Sequence, residues 1–322
     1  MKTTIIPFQL NTRIANTLAA ITEAVGKLSA VTLQKPSPML RRKNRIRTIQ
    51  SSLAIEGNSL TFDQVSALLD KNPVIGPRQD ILEVQNAIET YRQIGTFKPF
   101  SLISFLAAHQ GLMQRLAAAP GQLRKGPIGV VRPNNIFHEA PDWRNVEPMM
   151  RELFAYLKNS TDHLVIKSCR FHYQLEYIHP FIDGNGRMGR LWQTRILMHY
   201  HPVLEFLPVE HLIRRNQPLY YQYLAKADDV GDCTEFIAFI LEQINASLGQ
   251  LLADTRSVTL SASDRLEFAR SIFENTAFSR KDYQVHLKNI SNATASRDLQ
   301  HGVEIGLLQK TGDKRTTTYV FK

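Results

Sequence analysis

The chain has 322 residues, 43% of them hydrophobic and 9% aromatic, which supplies enough apolar material for a sizeable core and enough length for two or three domains. Its 39 Lys and Arg against 29 Asp and Glu leave a net charge of +10, which favours polyanionic partners such as nucleotides or nucleic acid but identifies none. The two cysteines, Cys169 and Cys233, lack metal-ligand spacing and argue against a disulfide framework, while the opening MKTTIIPFQLNTR lacks a secretory signal pattern and no run of about eighteen uninterrupted apolar residues follows; the expectation is a cytoplasmic protein without a membrane span.

Apolar residues recur mostly at spacings of three and four, so the fold class is mainly α. A first helix is expected over residues 10 to 31, ended by Pro36 and Pro38. A basic helix follows from about Arg41, and Thr61 with Gln64 makes a capping box for another through Leu69. Residues 1–79 therefore read as an N-terminal helical module. Residues 80–253 resume the helical pattern, interrupted by GQLRKGPIGVVRPNNIF, whose IGVV run suits a short β-hairpin flap. A polar stretch near Asp254 to Ser263 reads as a linker. Residues 264–322 then offer three short helices and a hairpin turning at Gly312 and Asp313, the pattern of a winged helix. From Arg256 onward there are 11 Lys and Arg against 7 Asp and Glu, a net +4 that permits DNA binding, with Arg297 in the Ala293 to Gly302 helix as the residue to face a groove.

The segment carrying chemistry is IHPFIDGNGRMGRLWQ, between one apolar helical face (Leu164, Phe171, Leu175, Ile178) and a second helix. Gly184 and Gly186 let a backbone approach a ligand, and the N–H groups opening the second helix suit an anion. Arg187 and Arg190 add two charged forks on one side. Asp183 suits a Mg²⁺ bridging phosphate oxygens, and His179 suits a general base. GNGRMG also matches the dinucleotide pattern GxGxxG, with Glu205 near the matching spacing, but that fingerprint must follow a strand, and helical periodicity precedes it here.

Taken together, His179, Phe181, Asp183, Gly184, Asn185, Gly186, Arg187 and Arg190 reproduce HxFx(D/E)GNGRxxR, and over roughly residues 40 to 250 the chain resembles the Fic family of AMP-transferring enzymes. The resemblance implies a Fic-type helical core that transfers AMP from ATP to a Tyr, Thr or Ser hydroxyl of a protein, itself included, with pyrophosphate leaving. It implies that His179 takes the hydroxyl proton and Asp183 binds Mg²⁺. Gly184, Asn185, Gly186 and Arg187 would form the phosphate cradle, with Arg190 on the γ-phosphate. It assigns an adenine contact to Tyr220, the first Tyr of QPLYYQYL; where some relatives have Asn eight residues later, Asp228 stands here. Ile128, Gly129, Val130 and Val131 would be a target-docking flap that pairs with an extended peptide by main-chain hydrogen bonds.

In the basic helix, Ile46, Ile49 and Leu53 mark an apolar stripe, and the next position on that face is Glu56, a carboxylate at a helix C-terminus just before Gly57. Such a group needs a cationic partner. Ser52 to Gly57, SLAIEG, resembles the (S/T)xxxE(G/N) inhibitory motif of Fic proteins whose inhibitory helix, here about residues 41–57, precedes the core. The resemblance implies that Glu56 pairs with Arg190 and removes the partner of the γ-phosphate. Other readings stay open: a nucleic-acid-binding regulator with a vestigial core, a Fic enzyme removing AMP, or transfer of another phosphate-containing group. The sequence also permits a homodimer without specifying one.

Overall fold

The computed structural model describes residues 4–31, 36–132, 136–257, 262–287, 290–313 and 316–322. They form two compact units, Met1–Lys35 with Asn44–Leu252, and Pro36–Lys43 with Ala253–Lys322. The division differs from the one expected at residue 79. Ile46, Ile49, Leu53, Leu60 and Val65 enter the same apolar cluster as Phe105, Phe171 and Trp192, so residues 46–65 share the interior of the helices that follow them.

The helices before the core are α1 (Thr12–Val31), α2 (Pro38–Ile55) and α3 (Phe62–Leu69). Thr61 and Gln64 close α3 as a reciprocal capping box. α4 (Arg78–Arg92) and α5 (Leu102–Leu112) follow, then an antiparallel hairpin of β1 (Gly129–Arg132) and β2 (Ile136–Glu139). Beyond it come α6 (Trp143–Asn159), α7 (Leu164–Ile178) and α8 (Asn185–Tyr200). α6 buries Val146, Met149, Met150, Leu153, Phe154 and Leu157, a single stripe, whereas α7 and α8 are buried nearly all round, as befits central helices. Phe105, Phe154, Phe171, Phe181 and Trp192 meet at the centre in mostly edge-to-face contacts, and the Trp192 indole donates to the Pro99 carbonyl at 3.0 Å.

The unit is completed by α9 (Val209–Arg215), α10 (Gln217–Val230) and α11 (Thr234–Ser257). α11 is, over Thr234–Thr255, the one helix among the described residues long and apolar enough to cross a membrane, and most of that span is buried in this unit through Phe236, Ile237, Ile240, Leu241 and Ile244. Its Glu235 and Glu242 grip Arg13 of α1. Glu205, the residue a dinucleotide site would use, pairs with Arg45 instead.

The C-terminal unit packs α12 (Ala262–Phe273), α13 (Arg280–His286) and α14 (Asn292–Glu304) with an antiparallel hairpin, β3 (Leu308–Thr311) and β4 (Thr318–Phe321). Leu266, Phe278, Tyr283, Leu299, Leu308 and Phe321 fill its own core, and Arg297 is exposed on α14. Gly312 turns the hairpin at φ +81°, where a Cβ would stand 2.4 Å from the Thr316 carbonyl.

Candidate active site

The loop between α7 and α8 is shaped by its two helix ends. His179 caps α7 in the left-handed region (φ 50°, ψ 60°), its N–H returning to Leu175 O at 2.9 Å. A non-glycine residue there costs about 1–2 kcal/mol, so the surroundings must hold it. Arg124 does so: its Nε donates to His179 O at 2.8 Å, Nη2 to Ile178 O at 3.3 Å, and its main-chain N–H to Pro180 O at 2.8 Å. The His179 Nδ1 lies 3.3 Å from Glu176 O, a contact that suits a proton on Nδ1 and leaves Nε2 as the basic nitrogen.

Past His179, Phe181 is fully buried and stacks on the His109 imidazole at 3.6 Å between ring centres. Asn185 does not extend its amide outward. Its Oδ1 accepts from Phe181 N and its Nδ2 donates to Phe181 O, both at 2.9 Å, so the side chain closes the loop from inside and only its main-chain N–H, at the start of α8, points to an anion-cradle role. His109 Nδ1 accepts from Gly121 N at 2.8 Å, which fixes the proton on Nε2, and Nε2 donates to Asp183 O at 3.0 Å. Burial, with Asp183 O as the opposing influence and Arg187 nearby, lowers the His109 pKa to about 4 and keeps it neutral. Gly184, at φ +85°, is required twice over: the backbone is left-handed, and a Cβ would meet Met113 Sδ at 2.7 Å.

Asp183 is the exposed carboxylate of the loop, 55% accessible, accepting from Gly184 N at 2.6 Å and from Arg187 Nη2 at 2.7 Å. The donor set fits Mg²⁺ delivered with a triphosphate, since that ion commonly takes one or two carboxylates plus phosphate and water oxygens. No group of three or more His, Cys, Asp or Glu that would form an all-protein cage occurs among the described residues. Arg187 is buried, and its Nη1 reaches Glu83 on α4 at 3.3 Å. Glu83 in turn accepts from Asn58 Nδ2 at 2.9 Å, two residues past Glu56.

Arg190 is 2% exposed, and its guanidinium donates to groups at the end of α2. Nε donates to Ser52 Oγ at 3.1 Å, and Nη2 to Ser52 O at 2.8 Å and to Glu56 Oε1 at 2.6 Å. Burial pulls the Arg190 pKa down and the Glu56 charge overcomes it, so the guanidinium stays ionised. The carboxylate occupies space that exists because residue 186 is glycine: a Cβ there would lie 2.4 Å from Glu56 Oε1. Gly57, at φ +96°, turns the chain out of α2 immediately afterwards.

Tyr220 is 1% exposed, its hydroxyl 3.1 Å from His172 Nε2, and His172 Nδ1 meets Gln193 Oε1 at 2.9 Å. The adenine contact expected of Tyr220 is closed in this arrangement. The half-buried ring of the pair is Tyr221, whose hydroxyl pKa is raised by burial and then by the Glu56 charge. Asp228 accepts from Tyr173 OH at 3.0 Å.

His179, Asp183, Gly184, Asn185, Gly186, Arg187 and Arg190 thus share one loop and helix start, with Ser52, Glu56 and Gly57 brought to its far end. Ile128 leads into the hairpin in which Gly129, Val130 and Val131 pair with Glu139, His138 and Phe137. Arg124, His109, Glu83 and Met113 escaped the sequence reading. Each reaches the loop from at least fifty residues away, and only Arg124, between Gly121 and Gly126 at the foot of the flap, carried any local signal.

A mainly helical unit whose central pair of helices opens on a glycine-shaped helix N-terminus, with a histidine at its mouth, has the features that suit an anionic ligand. The Fic/DOC family profile matches residues 99–197. A crystal structure of a Fic family protein from Desulfovibrio desulfuricans G20 is 36% identical, covers 98% of both chains and superposes with a TM-score of 0.75. The chain belongs to the Fic family. Fic-1 (residues 134–508) from C. elegans shares the fold, with TM-score 0.61, 20% identity and coverage of 76% of this chain and 74% of that one. The protein adenylyltransferase Fic of Drosophila erecta is 27% identical over 232 residues, which is 67% of this chain and 43% of that protein. The chain therefore spans less than half the length of the curated relatives it matches.

Proposed function

We propose that this protein is a protein adenylyltransferase restrained by its own inhibitory helix, α2. The observation that carries this reading is the Glu56 carboxylate seated over Gly186 and paired to Arg190. An anion already rests at the start of α8, on a cation only 2% exposed, where a nucleotide phosphate would bind. The names of the Drosophila relatives support the same chemistry.

In the reaction, a target hydroxyl approaches His179 Nε2, gives up its proton there, and its oxygen attacks the α-phosphorus of ATP. The bond from that phosphorus to the bridging oxygen breaks and pyrophosphate leaves with both bonding electrons. Asp183 would hold Mg²⁺, which when bound neutralises phosphate charge and helps the leaving group depart. Gly184 gives the backbone its left-handed turn, main-chain N–H groups of Asn185 and Gly186, with Arg187, hold the α- and β-phosphates, and Arg190 holds the γ-phosphate. β1 and β2 form a sheet of two, so β1 has an outer edge on which an extended target peptide can pair.

With Arg190 held by Ser52 and Glu56, the γ-phosphate meets a carboxylate in place of a cation, and ATP binds without the alignment that attack requires. Glu56→Gly is expected to release the guanidinium and raise AMP incorporation by at least tenfold, self-modification included. His179→Ala in that background should abolish it. Intact mass measurement after incubation with ATP and Mg²⁺ reads the adduct directly. Equal labelling of the wild type and the Glu56 variant overturns the inhibition. No adduct on the protein or on any added protein overturns the transferase, and release of AMP from modified protein would assign the reverse reaction.

A further inference from the structure

We propose that Arg124 is the positioning residue that sets His179 and the flap to each other, governing transfer to the target hydroxyl and leaving nucleotide binding alone. The inference deepens the adenylyltransferase reading and rests on it.

Arg124 lies between the core and the hairpin and is 4% exposed. Its guanidinium donates to four main-chain carbonyls. Nε donates to His179 O at 2.8 Å and Nη2 to Ile178 O at 3.3 Å; Nη1 donates to Gly126 O at 3.0 Å and Nη2 also to Pro141 O. The carbonyls fall into two groups with different meanings. Ile178 O and His179 O end α7, where carbonyls lack helical partners and the helix dipole is negative, so a cation there is doubly favoured. Gly126 precedes β1 by three residues and Pro141 follows β2 by two, so their carbonyls mark the two feet of the flap.

A guanidinium is the side chain suited to this task. Its planar fork directs five N–H donors along fixed lines and keeps its charge when buried, whereas an ammonium has three donors on a flexible stem. Burial pulls the Arg124 pKa down, with the Asp142 carboxylate opposing, so the carbonyls and this one nearby charge are what maintain the cation. The Arg124 main-chain N–H donates to Pro180 O at 2.8 Å, so three successive carbonyls around the left-handed His179 are tied to one residue.

The functional consequence concerns distance. A peptide paired to β1 delivers its hydroxyl from the flap, and the base that receives the proton stands at the end of α7. Arg124 bridges those two supports directly. Displacement of a reacting group by about 1 Å costs on the order of a hundredfold in rate. The triphosphate seat, by contrast, is built on Gly184 to Arg190, whereas the Arg124 side chain donates to Ile178, His179, Gly126 and Pro141.

The test uses the full chain carrying Glu56→Gly, with ATP and Mg²⁺ for self-labelling and a non-hydrolysable ATP analogue for titration calorimetry. Arg124→Gln is expected to slow AMP incorporation by about a hundredfold while the analogue's Kd changes less than about threefold. Arg124→Lys, which keeps the charge and a partial set of bonds, should fold in any case and recover part of the rate. Labelling by either variant at the parent's rate overturns the proposal, as does nucleotide affinity that falls in step with labelling, the mark of a merely structural role. Should the Glu56→Gly parent itself incorporate no AMP, the transferase reading fails separately. Amide hydrogen exchange then still decides on Arg124: Arg124→Lys should speed exchange in residues 127–132 and 178–182 together, and unchanged protection in either segment overturns the bridge.

Discussion

At Gly186 a single missing methyl group makes room for the contact between Glu56 and Arg190. An alanine there would place Cβ 2.4 Å from Glu56 Oε1 and 3.1 Å from Arg190 Nη1, so the carboxylate must retreat. Glu56 is one-third exposed and able to move outward, whereas Arg190 is held by Ser52 and is not. Gly186→Ala should therefore weaken the pair. It should also lower stability, by less than the ~3–5 kcal/mol typical of a broken buried pair, because Ser52 Oγ and O still accept from Arg190. The same substitution placed on Glu56→Gly meets no carboxylate. The stability costs of the two changes should then fail to add, with a coupling of ~0.5–3 kcal/mol in a double-mutant cycle of denaturant midpoints. Strict additivity would mean that Glu56 does not occupy the Gly186 seat in solution. Glu56 itself was legible because a carboxylate continued an apolar stripe at a helix C-terminus, a placement physics disfavours without a cation. Asn185 was legible as a loop residue but not in its role, since nothing in the sequence says that its amide turns inward onto Phe181.

Between elements, α9 meets α2 and α8 through a buried carboxyl group, Glu210. It accepts from Thr194 of α8 at 3.3 Å and lies near Thr48 of α2; the Arg190 charge lies nearby, and Tyr91 of α4 is close enough for Glu210 to raise its hydroxyl pKa. Burial raises the Glu210 pKa from the ordinary 4.5 to about 7, with its own backbone N–H and Arg190 only partly opposing. The folded state therefore favours the protonated acid. Its contribution to stability is complete below pH ~4.5 and is lost as pH rises through ~7, an effect of up to roughly 3 kcal/mol. His109, held near 4, acts with the opposite sign, being destabilising as pH falls from about 6.5 toward 4, so the comparison must be made against a variant. Glu210→Gln, which cannot titrate, should gain on the wild type in urea midpoint between pH 5 and pH 8; a constant difference across that range would show that Glu210 is ionised throughout. The sequence is explicit about elements with strong local signals: the capping box of α3, the hairpin before α6, and the helix pair around the loop. It was silent on Glu210, His109 and Arg124 because burial and partners decide their roles, and those arise only when helices distant in the chain come together.

The two compact units have cores with no residue in common, one built around Phe105, Phe171 and Trp192, the other around Leu266, Phe278 and Leu299. The second contains its own buried ion pair: Arg265 Nη2 reaches Asp298 Oδ1 at 2.6 Å, with Tyr283 OH 3.3 Å from Oδ2, and Asp298 is 1% exposed. Composition indicated a change of character near residue 254, but a sequence cannot say whether two cores unfold together, because that depends on packing energies and not on pattern. Asp298→Ala leaves the Arg265 guanidinium largely buried without its carboxylate, and breaking such a pair typically costs ~3–5 kcal/mol, a large fraction of what a unit of this size can supply. Calorimetry is expected to show two transitions in the wild type, with the Asp298 variant shifting one of them downward by many degrees and leaving the other in place. Labelling by the Glu56→Gly chain, measured below the lower transition, should not respond to Asp298→Ala, because His179, Arg190 and Glu56 all lie in the first unit. A single transition that moves as a whole would mean instead that the C-terminal core supports the first unit, and labelling by the Asp298 variant would then fall with its stability.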